Sequence, residues 1–316
     1  MATIPDQGAL LRQRDIFLGG AAGQRPRLPV SLEALEGAAE KVLSPAAFAY
    51  LAGGAGREDT VRHNREGFAR WRIRPRMLRD VSSRSTEVEL LGRRLPGPVL
   101  LAPVGVLELA HPAADRAVGR AAARLGVPFV FSNQASVPME EVAAGMGDAP
   151  RWFQLYCSKS DALTQSLVRR AEACGCEAIV LTLDTTMLGW RQRDLNLAYL
   201  PFLQGMGIAQ YTSDPVFQQL LDAPEEAGLA SPARKLTLHS LATAWAQARR
   251  YPGPTWASFR SGRALRAVRT FVNTYSNPAL SWDHLEQLRS YTRLPIVLKG
   301  ILDPEDARQA VAAGVD

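Results

Sequence analysis

The chain has 316 residues, 47% apolar and 22% charged, with 25 Gly and 21 Pro, a globular balance that excludes disorder as its general state. Its longest apolar stretch, 98–110, contains an internal proline and a glutamate, which excludes a spanning helix of about 20 apolar residues. The 37 basic and 31 acidic side chains leave a net charge of +6, but the arginines are scattered without an aromatic ladder, so a solvated or anion-facing surface is expected rather than a nucleic-acid patch.

In chain order, a helical region comes first. Ser31 opens one helix, Ser44-Pro45 opens a second that carries Tyr50 and stops at Gly53-Gly54, and a third runs over 59–70. Short apolar runs suited to buried parallel strands follow at 98–102, 127–132, 152–156, 178–184 and 294–299. Helical patterns at 115–125, 160–173 and 303–313 end at or near Gly126, Gly175 and Gly314, and Asp303-Pro304 forms a capped start for the last. The three junctions repeat one scheme: helix, glycine stop, entry to the next strand.

Between the fourth and fifth runs lie more than a hundred residues, far beyond an ordinary βα connection. Helical pieces are expected there at 236–249 and 262–275, forming a lid or an interface element. The insertion is placed at about 195–280. The domain reading is therefore 1–97 as a helical region and 98–316 as a β/α barrel portion.

Repeated βα units imply a parallel sheet, open or closed. Two features favour a TIM-type barrel. The closest match to a dinucleotide fingerprint, Gly53-Gly54-Ala55-Gly56, follows a helix and lacks its third glycine. Polar side chains instead gather at the C-terminal ends of several strands, where a barrel builds its site. These are Ser132, Gln154, Tyr156, Thr182, Asp184 and Lys299.

Each of these has two readings. Lys299, ending Leu-Pro-Ile-Val-Leu, can be a partly desolvated ammonium that forms a Schiff base or faces an anionic cofactor, or a snorkelling lysine paired with a carboxylate. Asp184 can orient a base or stabilise a transient cation, or cap the following loop. Gln154 and Tyr156 share one side of their strand and suit hydrogen bonding to a carbonyl or a heterocycle, although a core tyrosine has the same pattern. Arg191 and Arg193 can clamp a carboxylate or stand as surface arginines. No histidine falls at a strand end. Cys157, Cys174 and Cys176 form no CxxC pair, so neither a metal site nor a disulfide framework is expected. The N-terminus lacks an export signal, and a cytoplasmic location fits.

The motifs, in order, are Tyr50-Leu-Ala-Gly-Gly-Ala-Gly, Arg74-Pro-Arg-Met-Leu, Ala102-Pro103, Phe153-Gln-Leu-Tyr156, Leu181-Thr-Leu-Asp184-Thr and Leu298-Lys299-Gly. Together they resemble the FMN-dependent 2-hydroxy acid oxidases and dehydrogenases. Leu188-Gly-Trp-Arg-Gln-Arg-Asp and the long insertion resemble the lactate 2-monooxygenase branch most. The resemblance implies FMN as cofactor, with Pro103, Val104 and Gly105 against the flavin and Ser132, Gln154 and Thr182 bonded to its ring. It places Lys299 at the N1–C2=O edge, where it would stabilise the anionic reduced flavin. Tyr50, Tyr156 and Arg191 would contact the substrate, and Asp184 would support a histidine base. It further implies a small 2-hydroxy acid and oxygen as reactants and, if the barrel is complete, a homotetramer. Gln134 stands where many members carry Trp, which bears on substrate size.

The same resemblance implies three further strands that carry the His-Gly-Gly-Arg base segment and the FMN phosphate site. These 316 residues supply about five of eight βα units, so a C-terminally truncated chain with weak FMN binding and little turnover is the expectation. Two other readings stay open at this point: a Schiff-base barrel aldolase working through Lys299, and a non-catalytic fragment.

Overall fold

A computed structural model describes residues 8–223 and 237–316. The chain divides into two compact units. One comprises Met1–Pro98 with Gly189–Tyr199, the other Val99–Leu188 with Leu200–Asp316. The short segment after Leu188 thus belongs with the N-terminal residues, a regrouping that a linear division at residue 97 does not contain.

The first unit is helical. Helices span Gly8–Ala21, Leu32–Glu40, Pro45–Ala52 and Asp59–Ala69, with a short one at Gln192–Asn196. Ser44 accepts the Ala47 N–H, and Pro45 occupies the first turn, where its missing donor costs nothing. Ser31 does not cap in this way; its hydroxyl donates to Glu33 at 2.6 Å. A hairpin, β1 (Val88–Leu90) and β2 (Arg93–Leu95), turns through Leu91 and Gly92, both at positive φ. Such a two-residue turn matches the twist of its strands.

The second unit contains four parallel strands, β3 (Phe129–Phe131), β4 (Arg151–Leu155), β5 (Ile179–Thr182) and β6 (Ile296–Lys299), in the order β3-β4-β5-β6. Four of the five expected runs are these strands. The fifth, 98–102, is not a strand: only Leu101 bridges to Phe129, donating to the Pro128 carbonyl and accepting from Val130. Pro98 and Pro103 flank it and have no N–H to continue a ladder.

The junction scheme holds. Helix Ala114–Leu125 stops at Gly126 (φ 66°), Asp161–Ala173 leads to Gly175 (φ 71°), and Pro304–Ala312 leads to Gly314 (φ 72°). Glycine enters this left-handed region without a Cβ penalty and reverses the chain toward the next strand. Asp303 caps the last helix through the Glu305 N–H, and Ser160 caps Asp161–Ala173 through Leu163. On that helix Leu163, Leu167, Val168 and Ala171 are fully buried, one apolar stripe facing the core.

Register decides which side chains share a face. Gln154 pairs with Val180, Val180 with Val297, and Thr182 with Lys299, whereas Phe153, Ile179 and Ile296 form the opposite row. Paired residues in a parallel sheet project to one side. Gln154, Thr182 and Lys299 therefore share a face. The Phe153, Ile179 and Ile296 row is wholly buried and supplies the packed core.

The long connection from β5 to β6 includes helices Ala209–Thr212, Pro215–Asp222, Leu238–Arg250, Thr255–Ser261, Arg263–Thr274 and Asp283–Tyr291. The expected pieces at 236–249 and 262–275 correspond to Leu238–Arg250 and Arg263–Thr274; Leu236 lies outside the described residues. Far from lying loosely over the sheet, residues 209–211 bond into the loop after β3. Ala209 N–H donates to Ala135 O, and Gln210 accepts from Met139 N–H and donates to Val137 O.

Candidate functional site

The C-terminal strand ends of the second unit converge on a set of polar groups. Gln154, on β4, is 2% exposed. Its Oε1 accepts the Asn133 N–H at 3.2 Å and lies 3.5 Å from the Ser132 hydroxyl. Because a backbone N–H can only donate, this contact orients the amide, and Nε2 is turned the other way. That Nε2 finds no partner among the described residues, and neither does the Thr182 hydroxyl on the neighbouring strand. Both atoms are buried. Leaving a buried donor unpaired costs about 1–3 kcal/mol, so two such donors at neighbouring strand ends could receive a ligand that offers acceptors.

Ser132 continues β3 and is 4% exposed, with its Oγ accepting the Gln134 N–H at 3.0 Å. The loop before helix Ala114–Leu125 carries Pro103, Val104 and Gly105. Val104 is 39% exposed, and a Cβ added to Gly105 would touch Gln134 at 3.4 Å. The next residue, Val106, is fully buried at φ 57° and donates to Gln134 O at 2.9 Å. A β-branched residue in that region is strained, and strain of this kind persists where surrounding structure imposes it.

Asp184, just past β5, and Lys299, the last residue of β6, stand together, with Nζ 3.6 Å from Oδ2 and each side chain nearly half exposed. The expected desolvation of Lys299 is thus slight, and the carboxylate-paired alternative describes its geometry. Gly300 makes the pairing possible: at φ 104°, a Cβ there would lie 2.9 Å from Asp184 Cβ.

Tyr156, just past β4, is half-buried. Burial raises its phenol pKa, and the Asp184 charge raises it further. The group therefore remains an O–H donor at neutral pH. Its backbone N–H is held by Asn133 Oδ1 at 3.1 Å.

In the first unit, Arg191 lies over the Tyr50 ring, 5.0 Å from its centroid, and donates to the Tyr50 carbonyl and to Asp194. Asp194 is 5% exposed. Arg193 is engaged separately by Glu58 at 2.6 Å, and Glu58 also accepts the Gly54 N–H. The arginine and the glycine amide hold the Glu58 carboxyl below its usual range.

Several contributors were not singled out from the sequence. Asn133, Tyr211, Asp194 and Glu58 all support the groups above, and only Asp194, three residues after Arg191, follows a readable spacing. The histidines lie away from the strand ends: His63 on an exposed helix, and His284 beside Asn277 and Ser281. Burial pushes the Cys157 thiol up to about 12, so it is no activated nucleophile. Among the described residues, no helix is long and apolar enough to cross a membrane.

Comparison with known proteins adds a family to this geometry. Residues 39–316 match the family described as FMN-dependent dehydrogenase. An L-lactate oxidase of Lysinibacillus sphaericus is 35% identical over 302 residues, covering 96% of this chain and 68% of the relative. A 4-hydroxymandelate oxidase of Amycolatopsis orientalis is 38% identical over 285 residues, covering 90% and 67%. The solved structure of mandelate oxidase with (S)-4-hydroxymandelic acid superposes with a TM-score of 0.67 at 36% identity, covering 91% of this chain and 68% of that one. The chain thus spans about two thirds of the length of these relatives.

Proposed function

The chain belongs to the FMN-dependent dehydrogenase family, and from that premise we propose that it takes part in FMN-dependent oxidation of a small L-2-hydroxy acid such as lactate, with oxygen as the acceptor. The family's fold is a TIM barrel, and the parallel strands β3 to β6 with their helices are barrel elements. We read 98–316 as a portion of that barrel with four parallel strands, and 1–97 as leading into it.

One observation supports this reading above the others: the unpartnered Gln154 Nε2 and Thr182 Oγ1, buried at neighbouring strand ends. Two neutral donors on one face suit the carbonyl and imine acceptors of a flavin ring, so the residues present fit the group. Ser132, Gln154 and Thr182 would hold the ring, with the backbone of Pro103, Val104 and Gly105 against it. Bound FMN would supply the two-electron acceptor for the substrate's α C–H bond. Lys299 would set a positive charge beside the ring, fixed in place by Asp184.

Toward the substrate, Tyr156 would donate its phenol proton to a carboxylate or hydroxyl oxygen, since burial keeps it protonated. Tyr50 and Arg191 would bind the carboxylate, the arginine offering a planar fork of donors. Asp184 would stabilise positive charge on a base that takes the hydroxyl proton. Product analysis separates a keto acid released with peroxide from the decarboxylated acid of the monooxygenase branch.

The test is Thr182→Val. It replaces an orphaned hydroxyl with a methyl of similar shape, so the ligand-free chain should gain about 1 kcal/mol of stability while FMN binding weakens several-fold. Stability is read by urea unfolding, affinity by quenching of FMN fluorescence. A variant that is less stable without FMN, or that binds FMN as tightly as the parent, refutes the assignment.

A further inference from the structure

The 0%-exposed Asn133 does more than fill space between β3 and β4. Its Nδ2 donates to the Tyr211 phenol at 2.6 Å, its Oδ1 accepts the Tyr156 N–H at 3.1 Å, and its own backbone N–H donates to Gln154 Oε1 at 3.2 Å. Three segments meet in this one residue: the end of β3, the end of β4, and the insertion helix Ala209–Thr212. Tyr211 is itself fully buried, edge-on to Phe217 and Phe271 with centroids 5.6 and 4.8 Å away. Its ring cannot swing aside without opening that aromatic cluster. The neighbouring bonds from Ala209 and Gln210 to residues 135–139 fix the same helix to the same loop.

We propose that Asn133 and Tyr211 are positioning residues that hold the Gln154 amide with Nε2 presented to the cofactor, so that the insertion acts as a buttress of the flavin pocket. The chemistry is one of orientation. An amide whose oxygen is not anchored turns over, exposing an acceptor where the pocket needs a donor. The anchor is the Asn133 backbone N–H, and that N–H keeps its place because the side chain is tied on both sides. Removing the phenol oxygen leaves Asn133 Nδ2 buried without a partner, and the asparagine then turns to satisfy it. The inference rests on the flavin reading for what Gln154 faces, and on the hydrogen bonds alone for what holds it.

Tyr211→Phe keeps the ring and deletes only the oxygen. Its FMN dissociation constant, measured by fluorescence quenching, should rise about fivefold, the equivalent of one net hydrogen bond. In a Gln154→Ala background the same substitution should leave the constant unchanged, because there is no amide left to orient. Equal weakening in both backgrounds, or none in either, overturns the proposal, since a purely structural role is blind to Gln154. A second readout needs no flavin: the Gln154 side-chain amide resonances of the ligand-free chain should shift or broaden in Tyr211→Phe, and unchanged resonances overturn it as well. An unmutated chain that takes up no FMN, or a Gln154→Ala variant that binds it normally, strikes the flavin reading instead, and the resonances then decide the buttress by themselves.

Discussion

Asp115 offers a quantitative check on how the loop after β3 is held. It lies in the first turn of helix Ala114–Leu125, is 2% exposed, and accepts the Ser136 N–H at 2.9 Å. Burial raises its pKa from 3.8 to about 6, against the lowering effect of the Ser136 and Val137 amides, and Glu108 adds to the rise. The folded chain therefore holds this proton more tightly than the unfolded chain does. Its stabilising contribution is complete below pH 3.8 and is lost as the pH rises through 6. A displacement of about two pKa units corresponds to about 3 kcal/mol, of which about 2 kcal/mol disappears between pH 4.5 and 7.5. Asp115→Asn removes the titration while keeping an oxygen that accepts from Ser136. Other carboxylates titrate in both proteins, so the difference between them isolates this site. Urea unfolding at the two pH values should show the variant gaining about 2 kcal/mol relative to the parent on going from pH 4.5 to 7.5. A relative stability that stays constant, or moves the other way, would refute the buried-carboxyl account.

Two further substitutions probe the charged groups. Gly300→Ala places a methyl 2.9 Å from Asp184 Cβ at a φ of 104°, so a loss of about 1–3 kcal/mol is expected in thermal or urea unfolding. Arg191→Lys preserves charge but cannot reach Asp194 and the Tyr50 carbonyl with one planar fork; a loss of about 1–2 kcal/mol, read by the same unfolding assay, follows from leaving the buried Asp194 carboxylate less well paired.

The features written legibly in the sequence are those with local causes. Helix stops at Gly126, Gly175 and Gly314 are visible because a reversal needs positive φ, and the caps at Ser44 and Asp303 are visible because helix starts leave donors open, whereas Ser31 opens its helix without capping it. The β1–β2 hairpin was not visible: its strands have three residues each, and its turn begins with Leu91 at φ 51°, a residue that carries no turn signal. The run at 98–102 has a strand's apolarity, yet prolines at its borders reduce it to one bridge. Polar strand ends were legible because strands display residues alternately. What holds them was not. Asn133 and Tyr211 are 78 positions apart, and no period or spacing connects a strand end to a helix inside an insertion. Lys299 shows the same limit: its position at a strand end is local, but its exposure depends on what surrounds β6.

The two kinds of polar group at these strand ends differ in a way that bears on how ligands would enter. The charged pair at these strand ends is already matched: Lys299 has Asp184. The buried atoms left open on β4 and β5 at these strand ends are neutral, an amide nitrogen and a hydroxyl. Burial bears on the neutral groups alone, because Lys299 and Asp184 are each nearly half exposed. A buried neutral donor without a partner costs about 1–3 kcal/mol, which a domain can carry, whereas an isolated buried charge costs far more. A ligand's neutral heteroatoms therefore meet donors that wait for them, and binding recovers a cost the fold already bears. An anion there meets a Lys299 that is already paired, and it gains only what it exceeds Asp184 by. Under the flavin reading proposed above, a bound heterocycle would owe its affinity chiefly to Gln154 and Thr182.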